Sequence, residues 1–319
     1  MQIDNRKYSL DKATVVLFHP VDHTRSMLRS VVMGLGFTQV NDFSELRPAR
    51  NAIVDRGADL VLLDIDSDNR AICKMIREIR IENHSADPFV PIIGFSWSPD
   101  IRMINHGMEA GIDDLVAMPV SHKLIHDRIV TLIENRKGFV VTSSYVGPDR
   151  RSPGRSQEDE LGLGNIIVPN NLRFKVTGDR EAMASTAAVA EARASIDHHR
   201  LNRYAQRISW LIGQIREGKT EGKPLALATA ERHEEIGRMI ENIAFDLRMQ
   251  DHPELLEITD SMGRLLDILQ TSPRPQFYDF MLLHAQATIA TLMEREGAKE
   301  MVNAALQETS DYLDRIQAA

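Results

Sequence analysis

Five short runs of β-branched and aliphatic residues, none of them alternating between apolar and polar, recur between residues 14 and 118 with amphipathic stretches between them. They are Thr14-Val15-Val16-Leu17-Phe18, the weaker Thr38-Gln39-Val40-Asn41-Asp42, Leu60-Val61-Leu62-Leu63, Val90-Pro91-Ile92-Ile93-Gly94-Phe95 and Leu115-Val116-Ala117-Met118. A strand covered on both faces is apolar at every position, and parallel strands need crossover helices. The rhythm therefore predicts a doubly wound α/β domain with a parallel sheet. Met27, Leu28, Val31, Val32 and Leu35 recur at helical spacing after Asp22 as the expected cap and stop at Gly36. Ala71, Ile72, Met75, Ile76 and Ile79 mark the third helix. Leu124, Ile125, Ile129, Leu132 and Ile133 follow Ser121 as cap in the fifth, with Arg128 the polar exception. The second helix is expected from Ser44 and the fourth after Pro99.

At 319 residues the chain has room for a second domain. The α/β pattern spans residues 12–137, after which Ser, Gly, Pro and mixed charge predict a flexible linker over 138–178. Within that linker Ile166-Ile167-Val168 is an apolar island expected to dock on a domain. Residues 179–319 read almost entirely as helix, with breaks near Gly218-Lys219-Thr220-Glu221-Gly222, Asp251-His252-Pro253 and Ser272-Pro273-Arg274-Pro275, so four or five helices in an all-helical output or interaction domain are expected. Met183, Ala187, Ala190, Ala194, Asp197, Leu201, Tyr204, Ile208, Leu211 and Ile215 form a heptad seam. It is either a homodimer contact through residues 183–215 or packing within the chain's own bundle.

Charge and cysteine usage exclude several function classes. The formal net charge is -8, and from Asp179 onward 23 Asp and Glu face 16 Lys and Arg, so no basic face for nucleic acid is expected. Cys73 is the single cysteine, which leaves no internal disulfide and no Cys-rich zinc framework. No apolar run reaches the ~18 residues of a membrane span, and no leader segment is read, so a cytoplasmic setting is the expectation.

In an open parallel sheet the site lies beyond the carboxyl ends of the strands. The residues there are His19-Pro20, Asp64, Ser96 and Met118-Pro119, and their spacing over residues 12–137 resembles the receiver domain of two-component response regulators, the chemotaxis-type fold of strand order 2-1-3-4-5. The resemblance implies Asp64 as the phosphoacceptor candidate, Ser96 as the hydroxyl that ends strand four, and Pro119 after a cis bond to Met118. It also implies departures. His19 and Pro20 stand where the family's Mg²⁺-binding acidic pair belongs, Met118 stands for its lysine, and Leu115 for its aromatic switch residue. With Asp64, Asp66 and Asp22 as the remaining oxygen donors, Mg²⁺ binding is expected to be weakened. His19 with Asp64 or Asp66 would favour a transition metal instead. The resemblance thus implies a degenerate receiver.

Three other features have a bland and a sharp reading. His284, in Leu283-His284-Ala285-Gln286-Ala287-Thr288, lacks the flanking pattern of a histidine phosphotransferase and is expected against a core. Arg150, Arg151 and Arg155 read as a strap or solvated linker against the alternative of a phosphate-ligand site. Glu234, Glu235 and Gln250 read as helix-surface charge against a phosphatase acting on a partner receiver. The expectation is a two-component-type signalling adaptor, not an enzyme. Its partner would be a sensor kinase or another signalling protein, engaged through the face of the fourth and fifth helices with strand five, and its output would pass through the helical half. A phosphorylation-dependent regulator using Asp64 is the alternative.

Overall fold

The structure, a computed structural model, describes residues 7–81, 87–97, 100–150, 164–248 and 253–317 and comprises two compact units, Met1–Ile196 and Asp197–Ala319. The first is built on five parallel strands, β1 (Thr14–Phe18), β2 (Gln39–Phe43), β3 (Leu60–Asp64), β4 (Ile92–Ser96) and β5 (Asp114–Ala117), in the order β2-β1-β3-β4-β5. The crossovers are α1 (Asp22–Gly34), α2 (Leu46–Arg56), α3 (Asn69–Ile81), α4 (Ile101–Ala110) and α5 (His122–Glu134). Every residue of β3 and β4 is buried, as the unbroken apolar runs predict. Leu60, Leu62, Ile93 and Phe95 pack with Leu28 and Val32 of α1 and Ile125 and Ile129 of α5. Val61, Leu63 and Ile92 face Ile53 of α2 and Ile72 and Ile76 of α3. Phe18 pairs with Leu63, Asp64 with Phe95 and Ser96 with Ala117, so the strand ends are brought to one edge of the sheet.

The helix starts divide between confirmation and correction. Ser121 caps α5 by accepting the Leu124 N–H at 3.1 Å. Asp22 is not a cap: Val21 holds that position with no side-chain bond, and Asp22 is the first helical residue, paired with Arg25 one turn on. Glu45 rather than Ser44 precedes α2.

Segment 138–178 differs from the expected linker. Among its described residues, β6 (Phe139–Val141) and β7 (Val146–Pro148) form an antiparallel hairpin, Ile166 bridges to Phe139, and α6 (Asn171–Thr177) follows. Phe139, Val141, Val146 and Ile166 make a buried cluster with Phe89 and with Val189, Ala192 and Ile196 of α7 (Thr186–Arg216), while Leu172 and Val176 enter the α1–α5 core. The apolar residues are few and scattered among Gly, Pro and Ser, so average composition hides them. Of the island, Ile166 is buried but Ile167 is 91 % exposed. The hairpin closes so tightly on the α4–β5 turn that a Cβ on Gly111, whose φ is +103°, would lie 2.9 Å from the Val146 carbonyl oxygen. Arg150 turns inward to donate to the Ile112 carbonyl, which makes it a strap rather than a free anion ligand. Arg151 and Arg155 lie outside the described residues.

Asp113 ties this unit together. Its Oδ2 accepts from Arg80 Nη2 and from the Ile92 N–H, both at 2.9 Å, and its Oδ1 accepts from Arg136 Nε at 2.7 Å. Arg80 also donates to the carbonyls of Gly111, Pro88 and Val90. Both guanidiniums lie over the Phe139 ring, at 5.4 and 5.3 Å from its centroid. Burial brings the Arg80 pKa down to about 10, so it remains cationic at neutral pH.

The second unit consists of the remainder of α7 from Asp197, then α8 (Leu225–Arg248), α9 (Pro253–Thr271), α10 (Pro275–Leu292) and α11 (Ala298–Gln317). The helices resume at or just beyond the Gly and Pro signals in the sequence. Leu201, Tyr204, Ile208 and Leu211 are buried in this unit's own core, while Met183, Ala187, Ala190 and Ala194 are exposed. The C-terminal part of the heptad seam is thus packed within the chain's own bundle, and its N-terminal part is exposed. Arg200 donates to Asp246 through Nε and Nη2 at 2.9 and 2.8 Å, a buried pair between α7 and α8. His284 is fully buried: its Nδ1–H donates to the Phe280 carbonyl and its Nε2 accepts from the Ser261 hydroxyl, each at 2.8 Å.

Two outcomes follow from these buried groups. Asp113→Ala strands two buried guanidiniums and is expected to cost about 3–5 kcal/mol, read by urea unfolding of the full chain. For His284, burial lowers the pKa from 6.5 to about 4. The unfolded chain therefore binds the proton more readily, and stability falls as pH drops from 6.5 towards 4. His284 alone contributes about 3 kcal/mol of that loss. In His284→Gln this share of the acid slope is expected to disappear.

Candidate functional site

The candidate site is assembled at the carboxyl ends of β1, β3, β4 and β5. His19 follows β1, where its N–H donates to the Phe43 carbonyl and extends the β1–β2 ladder. Its carbonyl accepts from Arg25 Nη1 at 3.0 Å, and its Nδ1 accepts the Val21 N–H at 3.1 Å. With Nδ1 acting as acceptor, the ring proton of the neutral imidazole sits on Nε2. That nitrogen is buried, has no hydrogen-bond partner, and faces Asp64 Oδ1 at 3.9 Å. Burial pushes the His19 pKa below the ordinary value; Arg25 adds to the lowering, while Asp64 and Asp66 oppose it.

Asp64 ends β3 and is 3 % exposed. Its Oδ2 accepts the Ser67 N–H at 3.1 Å and its Oδ1 the Asp66 N–H at 3.4 Å, so the carboxylate folds back on the turn that follows it. Asp66 continues the chain of contacts: Oδ1 accepts from Ser96 Oγ and Oδ2 from the Trp97 N–H, both at 2.6 Å. The Ser96 hydroxyl at the end of β4 thus donates to Asp66. Met118 is buried and its N–H donates to the Ser96 carbonyl at 2.8 Å; the bond to the exposed Pro119 is cis, as its position suggests. Leu115 is half-buried in β5, and Pro20 is exposed.

The structure therefore brings His19, Asp64, Asp66 and Ser96 into one chain of contacts and leaves Asp22 out of it. The Asp22 side chain is 85 % exposed and ion-paired with Arg25, which corrects its expected place as a pocket ligand. Arg25 and Trp97 were not singled out from the sequence. Arg25 lies one helical turn from Asp22 and also reaches Asp42 at 3.1 Å, and Trp97 directly follows Ser96. Nothing in a lone chain marks either as part of a site.

Mg²⁺ requires several oxygen ligands in near-octahedral array. Here the Asp64 oxygens accept from backbone amides, the Asp66 oxygens accept from Ser96 and Trp97, and an N–H donor and a guanidinium flank the space. This donor set does not fit the ion. A transition metal on His19 with Asp64 or Asp66 fares no better, because among the described residues no three His, Cys, Asp or Glu side chains are grouped to hold a metal. On α8, Glu235 pairs with Arg207 at 2.9 Å and Glu234 is exposed; Gln250 lies outside the described residues.

No protein-family model matches the chain, and no curated protein matches it. Among solved structures it is similar to the chemotaxis response regulator CheY4 of Vibrio cholerae at 14 % identity and a TM-score of 0.33, over 37 % of this chain and 96 % of that one. It is also similar to the signal receiver domain of a modulated diguanylate cyclase from Desulfovibrio desulfuricans, at 20 % identity and a TM-score of 0.33, over 38 % of this chain and 93 % of that one. A third similar structure is a putative pilus assembly-related protein from Burkholderia pseudomallei, at 11 % identity and a TM-score of 0.33, over 41 % of this chain and 91 % of that one. The doubly wound architecture of the first unit stands on its own sheet order.

Asp66→Ala leaves the Ser96 hydroxyl and the Trp97 N–H without their carboxylate. The expected result is a loss of about 1–3 kcal/mol in unfolding free energy with a changed Trp97 emission in the folded protein.

Proposed function

We propose that this chain is a two-component-type signalling protein whose receiver-like unit acts as an adaptor through protein–protein interaction. The supporting observation is the pocket beyond β1, β3 and β4. It keeps the strand-end Asp64 and Ser96 yet holds His19, Pro20 and Met118 where the resemblance calls for metal-binding acids and a lysine, and its carboxylates already accept from the protein. Phosphoryl transfer to a carboxylate needs cations to neutralise charge developing on the phosphoryl oxygens. Arg25, the cation beside His19, donates to a backbone carbonyl and pairs with Asp22 and Asp42.

In this reading the protein is not an enzyme, takes no cofactor, and meets a sensor kinase or another signalling protein through α4, α5 and β5. The acidic helical unit carries the output to a protein rather than to nucleic acid or a membrane. Among the described residues no helix is long and apolar enough to cross a membrane, and the single Cys73 suits a reducing, cytoplasmic setting.

The test is intact mass after incubation with a small phosphodonor and Mg²⁺, comparing wild type with Asp64→Ala. No adduct is expected under conditions that label an ordinary receiver. A phosphoryl adduct on wild type that is absent from the variant would overturn the adaptor reading in favour of a phosphorylation-dependent regulator.

A further inference from the structure

His19 presents an unusual combination in one side chain. It is 3 % exposed, its Nδ1 is taken by the Val21 N–H, and its Nε2 has no partner although a carboxylate oxygen lies 3.9 Å away. A buried N–H donor left unpaired is costly, and a contact of 3.9 Å is too long for a hydrogen bond. We propose that His19 and Asp64 form a proton-operated latch, in which protonation of the His19 ring draws the Asp64 carboxylate off the N–H groups of Asp66 and Ser67 and loosens the β3–α3 turn that holds Ser96 and Trp97.

The proton comes from solvent and converts imidazole to imidazolium. No other bond is made or broken except hydrogen bonds. With Nδ1 protonated the Val21 N–H loses its acceptor, so the ring is freed from the loop that fixes it and its Nε2–H can close on Asp64 Oδ1. A charge-assisted contact of about 2.8 Å requires an approach of about 1 Å. The opposing hold on Asp64 is weak in one arm, since the Asp66 N–H lies 3.4 Å from Oδ1. From the Asp64 turn the path is direct: Asp66 accepts from Ser96 Oγ and the Trp97 N–H, and the Trp97 side chain is 55 % exposed.

The charged groups facing His19 are Asp64 from β3, Asp66 from the β3–α3 turn and Arg25 from α1, whose charge is shared with Asp22 and Asp42. The two carboxylates favour the imidazolium, whereas burial and Arg25 oppose it, so the latch closes only below the ordinary histidine value of 6.5. Proton binding is tighter in the closed state, and acid therefore shifts the population towards it. The inference rests on the reading of the pocket as one that does not bind Mg²⁺; a proton takes the place of the cation.

The test uses the full chain with Trp210→Phe, which leaves Trp97 as the sole tryptophan. Its emission is followed from about pH 8 to about pH 4.5, together with the His19 ring by NMR of histidine-labelled protein and folding by circular dichroism. The expected result is a one-proton change in Trp97 emission with a midpoint below 6.5 that coincides with titration of the His19 ring. It should be lost in His19→Gln and in the near-isosteric Asp64→Asn, both still folded, and its midpoint should be unmoved by Mg²⁺. The same change in His19→Gln, a ring that titrates while Trp97 emission stays flat, or a ring neutral down to about pH 4.5 would each overturn the latch. A midpoint driven down by Mg²⁺ would overturn the premise that the pocket is metal-free, an outcome separate from a silent Trp97.

Discussion

The carboxylate of Asp113 is the contact on which the first, α/β unit depends. It joins Arg80 of α3, Arg136 after α5 and the first N–H of β4, and through the two guanidiniums it sets the floor on which Phe139 of the added hairpin rests. A lone carboxylate at 1 % side-chain exposure would be strongly disfavoured; with two cations and a backbone donor around it the burial is compensated. The Arg80 fork also satisfies the carbonyls of Pro88, Val90 and Gly111, so the loop into β4 and the turn before β5 are held by the same side chain.

At the carboxyl-terminal edge of the sheet the polar groups are arranged to satisfy one another. Asp64 accepts from the amides of its own turn, Asp66 accepts from Ser96 and Trp97, and the guanidinium of Arg25 caps the His19 carbonyl. Asp64 stands at the end of β3 with His19, Pro20 and Met118 at the ends of the neighbouring strands. Among the described residues of this network His19 Nε2 is left without a hydrogen-bond partner, and it faces Asp64.

The helical unit follows a different logic. Its seam of Leu201, Tyr204, Ile208 and Leu211 is buried against its own helices, and several of its interior polar groups are paired: Arg200 with Asp246, His284 with Ser261 and Phe280, His233 with Tyr278. These pairs explain the interior histidines as packing and hydrogen-bonding residues. On α8, Glu234, Arg238, Glu241 and Phe245 are exposed.

Periodicity alone determined the parallel sheet, its crossover helices and the helical second half, because a strand buried on both faces and a helix packed on one leave unmistakable spacings of apolar residues. Strand-end position likewise determined where Asp64, Ser96 and His19 would meet. Only the tertiary structure decided the rest. That the stretch around Phe139, Val146 and Leu172 is part of the first unit rests on a few buried side chains scattered among Gly, Pro and Ser, a pattern too sparse to show a period. That Asp22 turns to Arg25, one helical turn away, while Asp66 turns to Ser96, distant in sequence, was settled by the packing around each. The direction of a side chain depends on which donors three-dimensional packing places within hydrogen-bond reach, and a linear chain does not specify that.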